Sequence, residues 1–211
     1  MSNYFNFFPK TIYTLDNTSQ IINQITDITS KFTFDNTFKN NTVLFYKYSL
    51  ADDDTPEILA DKIYGNPERH WIILALNDIV NPTEQWPLNQ TNFMNYVERK
   101  YKSNASVGQS GVDWAKENVY QYFKIITQSN NANNIKDIKT IVLDYDTYNT
   151  TPISTTDTFT VSNVNFTVEE SKAYMTYFQH EEYINESKRT IKLLKPEYVN
   201  SVESEFRKVF K

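Results

Sequence analysis

The sequence predicts an α+β fold. A strand–helix–helix unit is joined to a small antiparallel β region and C-terminal helices, with an extended N-terminal arm. Three observations predict it. Helix start and stop signals alternate closely over residues 55–77, and aromatic and β-branched runs alternate with Asn- and Thr-rich turns over 119–168. Apolar residues return to helical spacing after 171. With 211 residues the chain is long enough to bury a sizeable core. It divides by pattern into an arm with a short helix (1–43), a strand–helix–helix domain (44–102), a β-rich middle (103–168) and a helical end (169–211).

The arm opens with Tyr4, Phe5, Phe7, Phe8 and Pro9, then Ile12 and Tyr13. So short a greasy stretch cannot make its own core, so it must dock on the rest of the chain or on another protein. Phe5, Phe7 and Phe8 are the residues expected to reach a neighbour. Ile21, Ile22, Ile25 and Ile28 recur at helical spacing behind Thr18 or Ser19, which predicts a short helix there. Phe32, Phe34 and Phe38 follow in an extended stretch.

Leu44 to Leu50 reads as an aromatic-rich strand, broken by Asp52, Asp53 and Asp54. Thr55-Pro56-Glu57 is a helix start: threonine caps free amides, proline loses no hydrogen bond at the first helical position, and glutamate suits the positive end of the dipole. Ile58, Leu59, Ile63 and Tyr64 form its apolar side, and Gly65 stands where a left-handed terminal residue is needed. Asn66-Pro67-Glu68 repeats the device for a second helix through Trp71, Ile72, Leu74 and Ala75, ended by Asn77-Asp78. Asn81 to Leu88 is a loop pinned by two prolines around Trp86, and a third helix is expected over 91–101. Residues 103–117 read as a polar linker or exposed loop. Strands are expected over 119–126, 140–145, 158–161 and 163–168. A helix over 171–185, a short strand over 189–194 and a helix over 196–210 complete the chain.

The composition excludes several function classes. Twenty-one basic against 26 acidic side chains leave a formal charge of −5 and no basic block, so nucleic acid is not an expected partner. There is no cysteine, and the two histidines, His70 and His180, lie far apart in sequence; thiol, zinc and triad chemistry are poorly supplied. Gly65, Gly108 and Gly111 make no phosphate cradle. No apolar run spans a bilayer and the opening residues resemble no secretory signal, so an intracellularly made protein without a membrane is expected. Asp52, Asp53 and Asp54 lack the spacing of a calcium loop. Asp144 and Asp146 could hold a metal-bound sugar nucleotide, yet turn-forming aspartates explain them more simply. Glu169-Glu170 and Glu181-Glu182 read as solvated faces rather than paired acids. No catalytic, metal or cofactor site is expected, and neither an enzyme activity nor a small-molecule substrate. The aromatic excess, with Trp71 and Trp86 as organising anchors, points to an assembly subunit.

Residues 48–65, from Tyr48 through Asp52, Asp53, Thr55, Leu59 and Ala60 to Gly65, resemble a LysM module, with Asp53 where a turn glycine is usual and Asn77 closing the second helix. The continuation through Asn66, Trp71, Asn77, Pro82, Trp86, Pro87 and Leu88, with Tyr4 to Tyr13 and 185–198 at the ends, resembles the baseplate wedge protein 53 family of contractile-tailed phages. That resemblance implies a structural protein of the virion's tail baseplate, assembled in the host cytoplasm. Its partners would be other wedge proteins and neighbouring wedges around a six-fold ring. The LysM-like segment would then bind protein. The alternative it leaves is a module binding peptidoglycan or chitin.

Overall fold

A computed structural model describes residues 8–13, 23–27, 29, 32–130 and 136–209. In chain order its elements are β1 (Lys10–Tyr13), β2 (Asn23–Thr26), α1 (Asn36–Lys39), β3 (Phe45–Ser49), α2 (Pro56–Tyr64), α3 (His70–Leu76), α4 (Pro82–Gln85), α5 (Gln90–Tyr101) and α6 (Gly111–Glu117). They continue with β4 (Val119–Asn130), β5 (Lys136–Leu143), α7 (Tyr145–Thr150), β6 (Ser154–Val161), β7 (Val164–Thr176), α8 (Tyr177–Ser187), β8 (Thr190–Leu194) and α9 (Pro196–Val209). The architecture is α+β with small antiparallel sheets. Two compact units divide the chain: residues 1–89 with 186–211, and residues 90–185.

In the first unit β3 pairs with β8, a strand that returns after the whole second unit has been threaded. Hydrogen bonds from Leu50 N to Arg189 O (2.9 Å) and from Lys195 N to Leu44 O (3.0 Å) close the ladder at both ends. This phase turns the backbone groups of Lys192 and Leu194 outward on β8. Side chains meet them there. The Asn77 amide donates to Lys192 O and accepts from Lys192 N, both at 2.8 Å, and the Tyr64 hydroxyl donates to Leu194 O at 3.1 Å. Burial pushes the Tyr64 phenol above its ordinary range.

The expected capping devices form. Thr55 Oγ1 accepts from Ile58 N at 3.3 Å ahead of Pro56, and Gly65 ends α2 at φ 66°. Asn66 Oδ1 accepts from Glu68 N (2.9 Å) to open a short 3-10 turn, Pro67–Arg69, that runs into α3. Leu59, Ile72, Ile73, Leu193, Leu194, Val199 and Phe206 form the fully enclosed centre of this unit, uniting both helices with β8 and α9. Arg69 ties α9 down through Nε to Glu203 Oε1 at 2.8 Å, while its Nη1 donates to Tyr64 O at 2.9 Å.

The acidic turn departs from the expected geometry. Asp53 has no positive φ, so a residue with a Cβ is tolerated where the resemblance places glycine. Asp54 holds the turn instead, its Oδ2 accepting from Ala51 N (2.9 Å) and from the Tyr48 hydroxyl (3.0 Å). The helix expected around Ile25 is also corrected: Asn23–Thr26 is a strand, paired antiparallel with Lys10–Tyr13. β-branched Ile25 and Thr26 favour a pleated surface, and cross-strand pairing overrides the helical spacing. Ile21, Ile22, Ile28, Thr18 and Ser19 lie outside the described residues. The loop expected around Trp86 contains the short α4, capped by Asn81.

The second unit carries a four-stranded antiparallel sheet in the order β5-β4-β7-β6. Its strands are longer than the apolar runs predicted, because cross-strand pairing recruits flanking polar residues such as Gln128 and Glu169. β7 runs to Thr176, so the helix expected from Ser171 starts at Tyr177. The three-residue spacing of Tyr174 and Tyr177 fits a helix, but Tyr174 is held opposite Tyr122 in the β4–β7 ladder, so tertiary pairing overrides the local repeat. Residues 111–117, expected as linker, form α6 behind a Ser110 cap whose Oγ accepts from Asp113 N at 2.9 Å. Gly111 lets α6 approach α5: a Cβ there would overlap the Glu98 carbonyl and sit 2.9 Å from Lys102 N. Val112 N donates to Glu98 Oε2 at 3.0 Å, which holds the Glu98 carboxyl below its usual range. The β6–β7 hairpin turns through Ser162 (φ 50°) and Asn163 (φ 65°), the mirror-image turn that suits strand twist.

Gly111→Ala is expected to destabilise the second unit by about 1–3 kcal/mol through backbone overlap. Urea unfolding followed by Trp114 fluorescence checks it; an unchanged midpoint would refute the close approach.

Candidate interaction surface

The five aromatic residues singled out for partner contact occupy different situations. Phe5 and Phe7 lie outside the described residues. Phe8 is 5% exposed, with its ring edge-on to Phe206 at 6.1 Å, so this side chain is seated in the chain's own first unit. Trp71 is buried with its ring centroid 4.5 Å from that of Phe206. Trp86 is buried too, and its Nε1 donates to Asp54 O at 2.8 Å, which pins the proline-framed loop to the acidic turn before α2. Trp71 and Trp86 are therefore both interior residues of the first unit.

Aromatic surface remains open beside them. Phe32 packs edge-on to Phe34 at 5.0 Å and to Phe206 at 4.9 Å, and Phe34 stacks on Phe38 at 5.0 Å. With Leu44, Tyr198 and Val209 these rings line a groove of about 320 Å³ in the first unit. Val209, at the end of α9, is 64% exposed. Asp35 stands on the rim, where hydrogen bonds from Thr37 hold its carboxyl below the usual range while it caps α1. The alternating Phe32, Phe34 and Phe38 and the amphipathic run of α9 were visible in the sequence. That the two segments meet was not.

Several residues of the acidic clusters hold the fold. Asp52 pairs with Arg189 at 2.6 Å and Asp54 holds its own turn. Asp144 caps α7, its Oδ1 accepting from Thr147 N at 2.9 Å, and the Thr147 hydrogen bonds hold its carboxyl low. Glu170 pairs with Lys124 across the sheet at 2.6 Å. His70 Nδ1 lies 2.9 Å from Pro67 O, inside its own turn. Among the described residues no three acids, histidines or cysteines are grouped to hold a metal ion. Nor is any helix there long and apolar enough to cross a membrane.

Glu181 corrects the expectation of a solvated face. It is 5% exposed, and Oε1 accepts from Lys100 Nζ and from the Tyr101 hydroxyl, both at 2.7 Å, with Tyr96 donating to Oε2 at 3.2 Å. Burial alone would raise this carboxyl, but the Lys100 and Tyr101 hydrogen bonds outweigh it and hold the group below its ordinary 4.5. The same contact drives Lys100 upward against its own desolvation, and burial beside the carboxylate drives Tyr101 upward. Aromatic rings pack on one another in the same unit: Tyr101 on Trp114 at 5.5 Å, Trp114 on Tyr177 at 5.1 Å, and Phe93 on Phe178 at 5.5 Å edge-on.

The sequence profile of the family described as "Base plate wedge protein 53" matches residues 3–209, nearly the whole chain and both units. The chain belongs to the base plate wedge protein 53 family. A stretch of 84 residues is 31% identical to "Baseplate wedge protein gp53" of Enterobacteria phage T4, covering 40% of this chain and 42% of that protein. The aligned stretch thus spans less than half the length of this relative. Membership of the base plate wedge protein 53 family makes this a structural protein of the phage virion and places it in the tail baseplate.

The Glu181 cluster sets an acid dependence for the second unit. Its folded pKa is depressed, so its stabilisation is fully present above the unfolded value near 4.5 and is lost as pH falls through the lower folded value. Urea midpoints are therefore expected to fall steeply below about pH 4.5, and Glu181→Gln to flatten that limb while lowering the unfolding free energy at pH 7 by about 1–3 kcal/mol. Identical acid limbs for both proteins would overturn the assignment. Trp86→Phe, which removes one hydrogen-bond donor, is expected to cost about 1 kcal/mol in thermal unfolding.

Proposed function

We propose that the chain joins wedge proteins, and neighbouring wedges around a six-fold ring, by burying apolar surface against them. Family membership over residues 3–209 supports this reading most strongly. The groove of the first unit, lined by half-buried Phe32, Phe34 and Phe38, supports it physically, because aromatic side chains are enriched in protein–protein contacts. In this reading Phe5 and Phe7 reach a neighbouring chain, while Phe8, Trp71 and Trp86 act from within by fixing the surface that meets it. The β3–α2–α3 succession is the LysM-like segment, serving as a protein-binding module with no glycan, nucleic acid, membrane or small-molecule substrate.

Coexpression with the other wedge proteins of the same phage tests it. The chain is expected to copurify with them at fixed stoichiometry. Val209→Asp, a change at an exposed groove position, is expected to weaken that association about tenfold or more while leaving thermal unfolding unchanged. A chain that stays alone among its wedge proteins, or that is retained saturably on peptidoglycan or chitin and released by free glycan, would overturn the reading.

A further inference from the structure

We propose that the outer edge of β6 receives an extended strand from a different baseplate protein, one carrying a basic residue opposite Asp157 and an apolar residue opposite Phe159. This inference rests on the joining role above and assigns it a surface. β6 lies at one end of the sheet order β5-β4-β7-β6. Lys172 N donates to Ile153 O at 3.1 Å, which fixes the phase of the β6–β7 ladder. Thr155, Asp157, Phe159 and Val161 accordingly turn their backbone groups toward β7, and Ser154, Thr156, Thr158 and Thr160 turn theirs outward. β6 pairs with no other strand among the described residues, and every residue in it except Thr155 is exposed.

Two other strand edges among the described residues carry protection. On β8 the Asn77 and Tyr64 side chains occupy the outward groups. β5 carries Lys136, Asp137 and Lys139, charges of the kind that blunt an edge. β6 reads Ser-Thr-Thr-Asp-Thr-Phe-Thr-Val, rich in β-branched residues with Asp157 as its one charge. Such an edge is a template for a further strand.

The charge decides the occupant. For two copies of β6 to pair all four outward residues antiparallel, the two-fold axis must pass through Asp157. That places one carboxylate directly opposite its copy, with Cα atoms about 4.5 Å apart. Asp157 takes part in none of the ion pairs formed among the described residues, so a cation on a foreign strand completes it. Phe159 and Val161 share its face. Phe159 stacks on Phe166 at 5.5 Å with 13° between ring planes, yet stays 45% exposed, and Val161 is 53% exposed. A strand with a basic and an apolar side chain two positions apart on one face fits this pattern.

Amide hydrogen exchange on the intact chain, alone and within an assembled wedge, reads the edge directly. The amides of Thr156, Thr158 and Thr160 are expected to exchange rapidly alone and about a hundredfold more slowly in the wedge. If the chain enters the wedge while these amides still exchange rapidly, the β6 proposal fails and the joining role stands. If it never enters, both fail. Asp157→Lys is expected to weaken incorporation about tenfold through charge reversal. Thr158→Pro, which removes an outward N–H and spares the β7 ladder, should act likewise, with thermal unfolding of each variant as control. Normal incorporation of Asp157→Lys would overturn the charge assignment. A concentration-dependent dimer abolished by Thr158→Pro would overturn the foreign strand in favour of a second copy.

Discussion

The antiparallel pairing of β3 with β8 is the constraint on which the first unit depends. Neither strand has another strand partner among the described residues, and the two are separated in sequence by the entire second unit. Closing so long a connection costs conformational entropy that the pairing alone cannot offset. Burial offsets it: Ile191, Leu193 and Leu194 on β8 are all enclosed, largely by residues of α2 and α3 that the local sequence has already shaped into helices. Asn77 makes the arrangement specific. Its side chain reproduces both hydrogen bonds a further strand would make to Lys192, so the same residue that ends α3 also terminates the sheet.

The second unit solves a different problem. No residue of its four strands is buried, so the sheet gains little from a covered face. Its enclosed groups sit with the helices instead: Phe93, Val97, Tyr101 and Ala115, together with Glu181 and Asn185. A buried carboxylate is tolerated because a lysine and two tyrosines satisfy it, and the cluster trades hydrophobic stabilisation for a defined geometry. Ladder hydrogen bonds and cross-strand pairs such as Phe159–Phe166 and Lys124–Glu170 carry the sheet.

Local devices were legible in the sequence, and long-range consequences were not. Thr55-Pro56, Gly65, Asn66-Pro67 and Asn77 announce their positions because each satisfies or removes a specific backbone group. Ile25 misled, since isoleucines at helical spacing in an Asn- and Thr-rich stretch also suit a strand once a partner exists. Gly111 looked like loop punctuation because its reason, the backbone of Glu98, lies on another helix. Glu181 resembled a surface acid for the same reason: Lys100 and Tyr101, which make its burial tolerable, are distant in sequence. The number of aromatic residues was legible in the sequence, but their orientation was not. Which of them face inward was decided by α9, whose Phe206 gathers Phe8, Phe32 and Trp71 around one ring.

The interrupted path of the first unit has a consequence for biosynthesis. As the nascent polypeptide leaves the ribosome, residues 90–185 emerge as one uninterrupted piece and complete their contacts early. Phe45, Leu59, Ile72 and Ile73 must wait through that interval with a half-built interior, because β8 and α9 are translated only after it. A stall or a premature stop before Thr190 would thus release a product with one finished lobe and one sticky, open one, a ready client for chaperones and proteases.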